Sequence, residues 1–249
     1  MLGIRDRLRG ALGPYGTAAV KRKLAPLVRR DLSRLGRWYG TDKAFRHGYT
    51  AQYQRHLAHL RRKPVRLLEV GIGGYDGGLT SGGSSLRMWR TWMPRASIVG
   101  LDLDPRDFRE PRITTYAGDQ SDADFLRWLE AEAGPFHVVI DDGSHQSPHI
   151  VRTFETLWPL LEPGGVYIIE DLFYSYDSQY RGGPPGTRGT SMELVKEFLD
   201  LVPRKSDVAG VAVYEPGAAI IHRAGDLPPL SPRSVIRRGA SQAHHVERS

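Results

Sequence analysis

The stretch LLEVGIGGYDGG, residues 67–78, joins an apolar run to a cluster of glycines. The apolar run predicts a buried β-strand, and the glycines allow a sharp turn and a close approach of the backbone to a ligand. The glycine spacing differs from the G-x-G-x-x-G pattern of dinucleotide-binding proteins, and Glu69 lies two residues before the first glycine. Residues 99–105, VGLDLDP, place Asp102 at the end of the next predicted strand. Together the two segments are typical of a nucleoside-binding protein in which the second acid accepts both ribose hydroxyls.

From residue 65 onward, apolar strands alternate with amphipathic helices. This order predicts βαβ units and a mostly parallel sheet with helices on both faces, and the two late strands add an antiparallel element. The predicted strands are 65–70, 97–101, 113–116, 136–140, 166–170, 208–214 and 218–223. The predicted helices are 83–92, 121–132, 147–160 and 190–202.

The basic residues are concentrated at the start of the chain. Residues 1–66 contain 17 Lys and Arg against 3 Asp and Glu, although the whole chain has a net charge of only +7. We interpret residues 1–64 as a basic helical arm that packs on a neighbour or on a second subunit, so a homodimer or higher homo-oligomer is expected. Contact with nucleic acid is the less favoured alternative. Residues 65–225 then form the catalytic domain, and 226–249 a polar, flexible tail.

The composition limits the chemistry that is available. With 249 residues and no cysteine, one large α/β domain is expected, and disulfides and thiolate metal ligands are excluded. No apolar run approaches the roughly 20 residues of a membrane helix, and the N-terminus lacks the apolar core of a secretory signal. We therefore expect a cytoplasmic protein without a membrane span.

Two predicted strands each end in a pair of acidic residues. VVIDDGSH ends in Asp141 and Asp142 before a histidine, and VYIIED ends in Glu170 and Asp171. Parallel strands joined by a helical crossover present their carboxyl ends at one edge of the sheet, so these acids should converge. Converging carboxylates repel one another unless a cation lies among them, and an all-oxygen set favours Mg²⁺ or Mn²⁺.

Adjacent residues of a strand point to opposite faces, so Asp141, directly before Asp142, is the doubtful member of the acid set. We predict Asp142, Glu170 and Asp171 as the metal ligands and assign Asp141 a structural or supporting role. His145 lies three residues beyond Asp142 and is the predicted general base, because an imidazole titrates near neutral pH. The alternative for His145 is a cap on the helix that follows.

Several motifs together resemble the class I S-adenosylmethionine-dependent methyltransferases. More narrowly, they resemble the metal-dependent sugar O-methyltransferases of actinobacteria, which include macrolide deoxysugar enzymes and, more loosely, enzymes of mycobacterial polymethylated polysaccharides. The resemblance covers about residues 38–175. Its motifs are YGTDK…HGYTAQY (39–53), EVGIGGY…GGSSLRMWR (69–90), GDQSD (118–122), IDDGSH (140–145) and PGGVYIIED (163–171).

The resemblance implies a Rossmann-like sheet, S-adenosylmethionine as cofactor and Mg²⁺ at the same three acids, with Mn²⁺ as an alternative. It implies that Gly71, Gly73 and Ser85 contact the methionine part, Asp102 the ribose, and Asp119 and Gln120 the adenine. Glu69 is expected to support cofactor binding mainly through the shape of the loop. Ser85 could instead cap the following helix, and Asp119 and Gln120 could instead form a turn.

The segment 171–190 is rich in aromatic residues, glycine and proline, as expected of a loop that closes over a sugar. Its aromatic pattern departs from that of the antibiotic-modifying members. The predicted acceptor contacts are Tyr49, Tyr174, Tyr176 and Tyr180.

The predicted function is therefore S-adenosylmethionine- and Mg²⁺-dependent O-methylation of a sugar hydroxyl. The acceptor could be a glycoside, an oligosaccharide or polysaccharide, or a glycosylated natural product such as an antibiotic. One alternative is a catechol- or phenol-type O-methyltransferase, since a catechol also offers two oxygens to a metal. A less favoured alternative is a nucleic-acid methyltransferase or binding protein recruited by the basic arm, although a three-carboxylate site repels phosphates when no metal is bound.

Overall fold

The computed structural model describes residues 29–73, 82–104 and 110–225. The expectations for residues 1–28 and for the tail 226–249 lie outside the described residues. The helices are α1 (Leu32–Tyr39), α2 (Asp42–Phe45), α3 (Thr50–Leu57), α4 (Ser84–Trp92), α5 (Ala123–Ala133), α6 (Ser147–Leu157) and α7 (Ser191–Leu201), with short 3₁₀ helices at Leu172–Tyr176, Ser178–Tyr180 and Val202–Arg204. The strands are β1 (Arg66–Val70), β2 (Ser97–Asp102), β3 (Ile113–Ala117), β4 (Val138–Asp141), β5 (Val166–Ile169), β6 (Val208–Tyr214) and β7 (Ala218–Arg223).

All seven strands belong to one sheet with the order β3-β2-β1-β4-β5-β7-β6. The first five pair in parallel, β7 runs antiparallel to β5, and β6 runs antiparallel to β7. The strand order reverses between β1 and β4, which is where open α/β sheets bind their ligands. The predicted Rossmann-like methyltransferase sheet with a late antiparallel element is therefore confirmed.

The side chains of the sheet alternate between two apolar cores. On one face, Leu67 of β1 and Ile168 of β5 pack in the same core as α1, α3 and α4. On the other face, Leu68 and Ile169 pack in the same core as α5, α6 and α7. Because successive side chains of a strand point to opposite faces, this alternation also fixes the face on which each acid at a strand end lies.

The helices before β1 are part of the first core. Asp31 caps α1 by accepting a hydrogen bond from the backbone N–H of Arg34, and Gly40 ends the helix in the left-handed conformation with φ 79°. Leu32 and Leu35 of this helix have no exposed surface. Residues 32–35 of the predicted arm therefore contribute to the same apolar layer as the sheet.

In the three described stretches of the chain, no helix combines the length and the apolar character that a membrane crossing requires.

Candidate active site

The two neighbouring acids after β4 point to opposite faces of the sheet. Asp141 is buried on the side of α6, where Nε2 of Gln120 donates a hydrogen bond of 3.1 Å to its Oδ1. Burial raises the pKa of Asp141 to about 7, although the Gln120 hydrogen bond opposes that shift. Asp142 points to the other face, where it pairs with the ammonium of Lys43. The two acids therefore serve different surroundings, as the alternation along a strand predicts.

Lys43 of α2 lies within a group of three carboxylates. Its side chain is almost fully buried, and its Nζ donates hydrogen bonds to Asp142 and to Oε1 of Glu170, the latter at 2.8 Å. Nζ also lies 3.3 Å from Oε1 of Glu69. Burial disfavours the charged ammonium, but the three carboxylates outweigh it and raise the pKa of Lys43 well above its ordinary value. The ends of β1, β4 and β5 are thus joined by one buried cation.

Asp171 follows Glu170 and has the left-handed conformation, with φ 55°. The hydroxyl of Tyr49 donates a hydrogen bond of 2.8 Å to its Oδ1. Nδ1 of His47 lies 3.6 Å from the same oxygen, and the His47 ring stacks on Tyr49 with centroids 5.3 Å apart. The segment before α3 therefore holds the second acid pair as well as the first.

His145 faces Asp171 from the other side. Its Nε2 lies 3.9 Å from Oδ2 of Asp171, and its backbone is left-handed with φ 57°. Potential ligand atoms of Asp142, His145 and Asp171 all lie within 4.8 Å of one another. The N-cap position of α6 is occupied by Gln146, so the alternative of a capping histidine does not apply to His145.

Aromatic rings extend the site away from the acids. Tyr174 stacks on His145 with centroids 5.2 Å apart, and Tyr180 lies 3.9 Å from Tyr174 by the same measure. Phe173 packs against Tyr174 at 4.4 Å and is itself 39% exposed. Tyr176 is 46% exposed and belongs to the same 3₁₀ helix. These rings form a wall next to the histidine and its carboxylate.

The glycine turn after β1 lies against the backbone of Asp142, which follows β4. Gly71 has φ 81°, and a Cβ added there would lie 2.0 Å from the backbone oxygen of Asp142. Only glycine fits this position, both for its conformation and for its space. Gly73 has φ 65°, and no described residue lies within 4 Å of the position where a Cβ would be. Residues 74–81 of the turn lie outside the described part.

Asp102 at the end of β2 supports this turn. Its Oδ2 accepts a hydrogen bond of 3.0 Å from the backbone N–H of Ile72, and its Oδ1 accepts one of 3.3 Å from that of Asp104. Each carboxylate oxygen retains acceptor capacity beyond these bonds.

Glu69 and Ser85 lie beneath the turn. Glu69 has no exposed surface, and neither of its carboxylate oxygens has a hydrogen bond of good geometry among the described residues, although Lys43 lies nearby. Ser85 is also buried and lies inside α4, whose N-cap position is Gly83. The alternative role of Ser85 as the helix cap therefore does not hold.

The two residues expected at the adenine behave differently. Oδ1 of Asp119, an exposed residue, accepts hydrogen bonds of 2.8 Å from both the backbone N–H and the hydroxyl of Ser121, which is a turn-forming role. Gln120 is buried, and its amide connects Asp141 and Thr153 to the backbone N–H of Ser144. The adenine contacts of Asp119 and Gln120 stay predictions.

Two residues of this site were not among those predicted from the sequence. Lys43 lies in the YGTDK motif and His47 shortly after it, within a strongly basic part of the chain. A lysine in such a region is normally exposed, so composition alone cannot indicate its burial. The available signal was the YGTDK motif itself, which belongs to the resemblance but indicates no contact with the acids.

A parallel sheet with a glycine turn after β1 and an acid ending β2 is the arrangement of the class I methyltransferases. A family model described as "Methyltransferase domain" matches residues 46–172, and the chain belongs to this family.

Among curated proteins, the chain is similar to 8-demethyl-8-alpha-L-rhamnosyl tetracenomycin-C 2'-O-methyltransferase of Streptomyces olivaceus. The two are 44% identical over 186 residues, which are 73% of this chain and 49% of that protein. It is also 44% identical over 176 residues to mycinamicin VI 2''-O-methyltransferase of Micromonospora griseorubida, covering 69% of this chain and 44% of the relative. The chain thus spans about half the length of these relatives.

Among solved structures, the chain is similar to the MycE methyltransferase from the mycinamycin biosynthetic pathway, in complex with Mg, SAH and mycinamycin VI. The TM-score is 0.73 at 39% sequence identity, covering 80% of this chain and 57% of that one.

Proposed function

We propose that this chain carries the catalytic site of an S-adenosylmethionine- and Mg²⁺-dependent O-methyltransferase that methylates a sugar hydroxyl of a glycosylated natural product. The observation that carries the proposal is the convergence of Asp142, His145 and Asp171 beside the glycine turn, with ligand atoms within 4.8 Å of one another. A base, a set of hard ligands and a nucleoside-binding turn then meet at one edge of the sheet.

The relatives support the same chemistry. Those named above are O-methyltransferases whose printed acceptors are glycosylated tetracenomycin and mycinamicin, and the MycE structure contains Mg and SAH. Because the chain covers about half of each relative, the activity of the whole protein is part of the proposal.

The donor set fits a divalent ion. Carboxylate oxygens are suitable ligands for Mg²⁺ or Mn²⁺, and thiolates are excluded because the chain has no cysteine. The imidazole of His145 is then left to act as the base. Asp142 and Asp171 are available on the side of His145. Glu170, the third predicted ligand, is bound to Lys43 through Oε1, so it would contribute through its remaining acceptor capacity.

The cradle after β1 also fits S-adenosylmethionine. The buried carboxylate of Glu69 interacts with Lys43 and Ser85, so it would support the cofactor mainly by fixing the shape of the loop. Gly71 lets the turn pack closely on the backbone of Asp142, and Gly73 has no described residue within 4 Å of its Cβ position. Ser85 lies nearby, and Asp102 would accept the two ribose hydroxyls.

The residues of the chain then divide the catalytic work. S-adenosylmethionine supplies an electrophilic methyl group, and a divalent ion supplies positive charge that lowers the pKa of the acceptor hydroxyl. Nε2 of His145 accepts the proton of that hydroxyl. Oδ2 of Asp171, 3.9 Å from this nitrogen, stabilises the resulting imidazolium, and Tyr49 holds Asp171 in place.

The aromatic wall is suited to a sugar ring. Tyr174 stacks on His145, Tyr180 lies against Tyr174 with the two rings tilted by 31°, and Phe173 and Tyr176 are partly exposed beside them. Aliphatic C–H groups of a sugar and the apolar body of a glycosylated polyketide can both pack on such faces. Tyr49 is assigned to the carboxylate instead, since its hydroxyl is already bound to Asp171.

We further propose that the protein acts in the cytoplasm and self-associates, as its cysteine-free composition and basic N-terminal region suggest. Light scattering of the purified protein tests the self-association, and fractionation of the producing cells tests the location.

The decisive experiment uses the two neighbouring aspartates as a matched pair. Methyl transfer from labelled S-adenosylmethionine is measured on a panel of glycosides, with EDTA and after adding back Mg²⁺ or Mn²⁺. We expect Asp142→Asn to abolish metal-dependent transfer. Asp141→Asn, on the opposite face, should still bind the ion because it removes no ligand and keeps an acceptor for Gln120.

Three results would contradict the proposal. Full transfer in EDTA would exclude the metal role, and equal ion binding by the two variants would exclude the assigned ligand. A preference for catechols, with most activity retained in His145→Ala, would favour a phenol-type enzyme, because a catechol is acidic enough to need the base less.

A further inference from the structure

Lys43 is the one buried cation that the described residues place against several carboxylates of the site. It lies in α2, before the residues 46–172 that match the methyltransferase family model. Its Nζ donates hydrogen bonds to Asp142 after β4 and to Glu170 after β5, and it forms an ion pair at 3.3 Å with Glu69 of β1. Three acids around one ammonium cannot be explained as an ordinary one-to-one ion pair.

The contacts divide the acids of the site into two groups. Glu69 and Glu170 are almost completely buried, and Lys43 is their cationic neighbour. Asp171 is held by Tyr49 and lies on the side of His145. Asp142 belongs to both groups, since it pairs with Lys43 and also lies within ligand distance of His145 and Asp171.

The positive charge of Lys43 predicts the direction in which this residue changes the affinity of the site for a divalent ion. An ammonium that touches a ligand carboxylate repels a divalent ion bound to the same carboxylate, and this repulsion is strong where water is excluded. The same ammonium prevents the mutual repulsion of Glu69, Asp142 and Glu170 when no ion is present. Lys43 therefore lowers the net negative charge that an incoming ion meets.

We propose that Lys43 is a positioning residue that balances the charge of the carboxylate group and thereby sets the affinity of the site for its divalent ion. The inference rests on the proposed function, because it requires that an ion binds at Asp142 and Asp171. It goes further because it assigns to Lys43 and Glu69 opposite effects on the affinity for that ion. Neither residue belongs to the converging group of Asp142, His145 and Asp171.

The test is a double-mutant cycle read by Mn²⁺ binding to the full chain without cofactor or acceptor, for example by the paramagnetic resonance signal of free Mn²⁺. Lys43→Met removes one positive charge at nearly constant shape and should tighten binding by about tenfold or more. Glu69→Gln removes one negative charge and should weaken binding by about tenfold or more. The double variant has the same net charge as the wild type and should bind within about threefold of it.

The pattern of signs separates charge balance from a purely structural role. If Lys43 only held the fold together, both single substitutions would weaken Mn²⁺ binding and their losses would accumulate in the double variant. That outcome, or unchanged binding in Lys43→Met, would overturn the inference. Lys63→Met is the matched control, since it removes an exposed lysine from the same part of the chain and should leave the affinity unchanged.

Three further outcomes are informative. If Lys43→Met does not fold in EDTA, added Mn²⁺ should restore a cooperative thermal transition by taking over the missing positive charge, and failure to do so overturns the inference. If the wild type does not bind Mn²⁺, the proposed metal dependence fails and the inference with it. Wild-type binding with no effect of Lys43→Met or Glu69→Gln overturns the inference alone.

Discussion

Tyr49 offers a quantitative test of how the segment before α3 supports the site. The Tyr49→Phe substitution removes one hydroxyl, which donates the 2.8 Å hydrogen bond to Oδ1 of Asp171. The ring is fully buried, and it would keep its stacking partners His47 and Tyr53, with centroids at 5.3 and 5.9 Å. The change therefore isolates one hydrogen bond to a buried carboxylate.

The expected cost follows from the charge of the acceptor. A hydrogen bond to a charged group contributes about 1.5–3 kcal/mol to stability, more than a bond between neutral groups. In a domain of this size, each kcal/mol shifts the melting temperature by roughly 2–4 °C. Tyr49→Phe should thus lower the melting temperature by roughly 3–12 °C in EDTA. It should also weaken Mn²⁺ binding, because Asp171 then lacks the donor that fixes its carboxylate.

Tyr53→Phe is the matched control for this prediction. Tyr53 is equally buried and belongs to the same row of rings, but its hydroxyl has no hydrogen bond of good geometry among the described residues. Burial and the Glu170 carboxylate beside this hydroxyl raise the pKa of Tyr53, but no well-formed hydrogen bond is lost. We therefore expect a change below about 1 kcal/mol and a smaller loss of Mn²⁺ affinity than in Tyr49→Phe. Differential scanning calorimetry and an Mn²⁺ titration measure both quantities. Equal melting temperatures for the two variants would refute the role assigned to the Tyr49 hydroxyl.

Three further predictions concern separate parts of the molecule. Asp102→Ala should weaken S-adenosylmethionine binding by roughly 30–150-fold, the equivalent of about 2–3 kcal/mol, and calorimetry showing unchanged affinity would contradict the ribose assignment. His145→Ala should reduce turnover by roughly 10²–10⁴ while Mn²⁺ still binds, with partial recovery as the pH rises; a wild-type rate and pH profile would exclude the base. Burial lowers the pKa of His137 to about 4, so the unfolded chain takes up a proton that the folded chain does not. Stability should therefore fall by about 3 kcal/mol as the pH drops from 6.5 to 4, and His137→Gln should remove that part of the slope seen in denaturant titrations.

Much of the fold could be predicted because local pattern and tertiary structure agree. The βαβ alternation gave all seven strands and the four later helices to within a few residues, as for β2 (predicted 97–101, observed Ser97–Asp102). The opposite orientations of Asp141 and Asp142 also followed from the sequence, since alternation along a strand is a local property. Where each acid points is thus set by the chain within a few residues of it.

The partners of these acids could not be predicted in the same way. The bond from Tyr49 to Asp171 joins residues 122 positions apart, and that from Lys43 to Glu170 joins residues 127 apart. No periodicity relates such distant residues. Gln120 illustrates the same limit, because its amide is bound on the face of Asp141 by contacts that only the packing of α6 creates.

The position of these partners bears on where the catalytic unit begins. The predicted division placed residues 1–64 in an arm and the catalytic domain at residues 65–225, with Tyr49 as the one predicted site residue inside the arm, and the family model starts at residue 46. Lys43 and Tyr49 nevertheless contact the acids that end three strands of the sheet, and α1 before them packs in the same core as α4. A fragment beginning at residue 46 would retain Tyr49 but leave Glu69, Asp142 and Glu170 without their buried cation. Like charges in a buried site must be neutralised by a cation or by protons. The part of the chain that can keep these acids ionised without a metal ion therefore begins at or before α2.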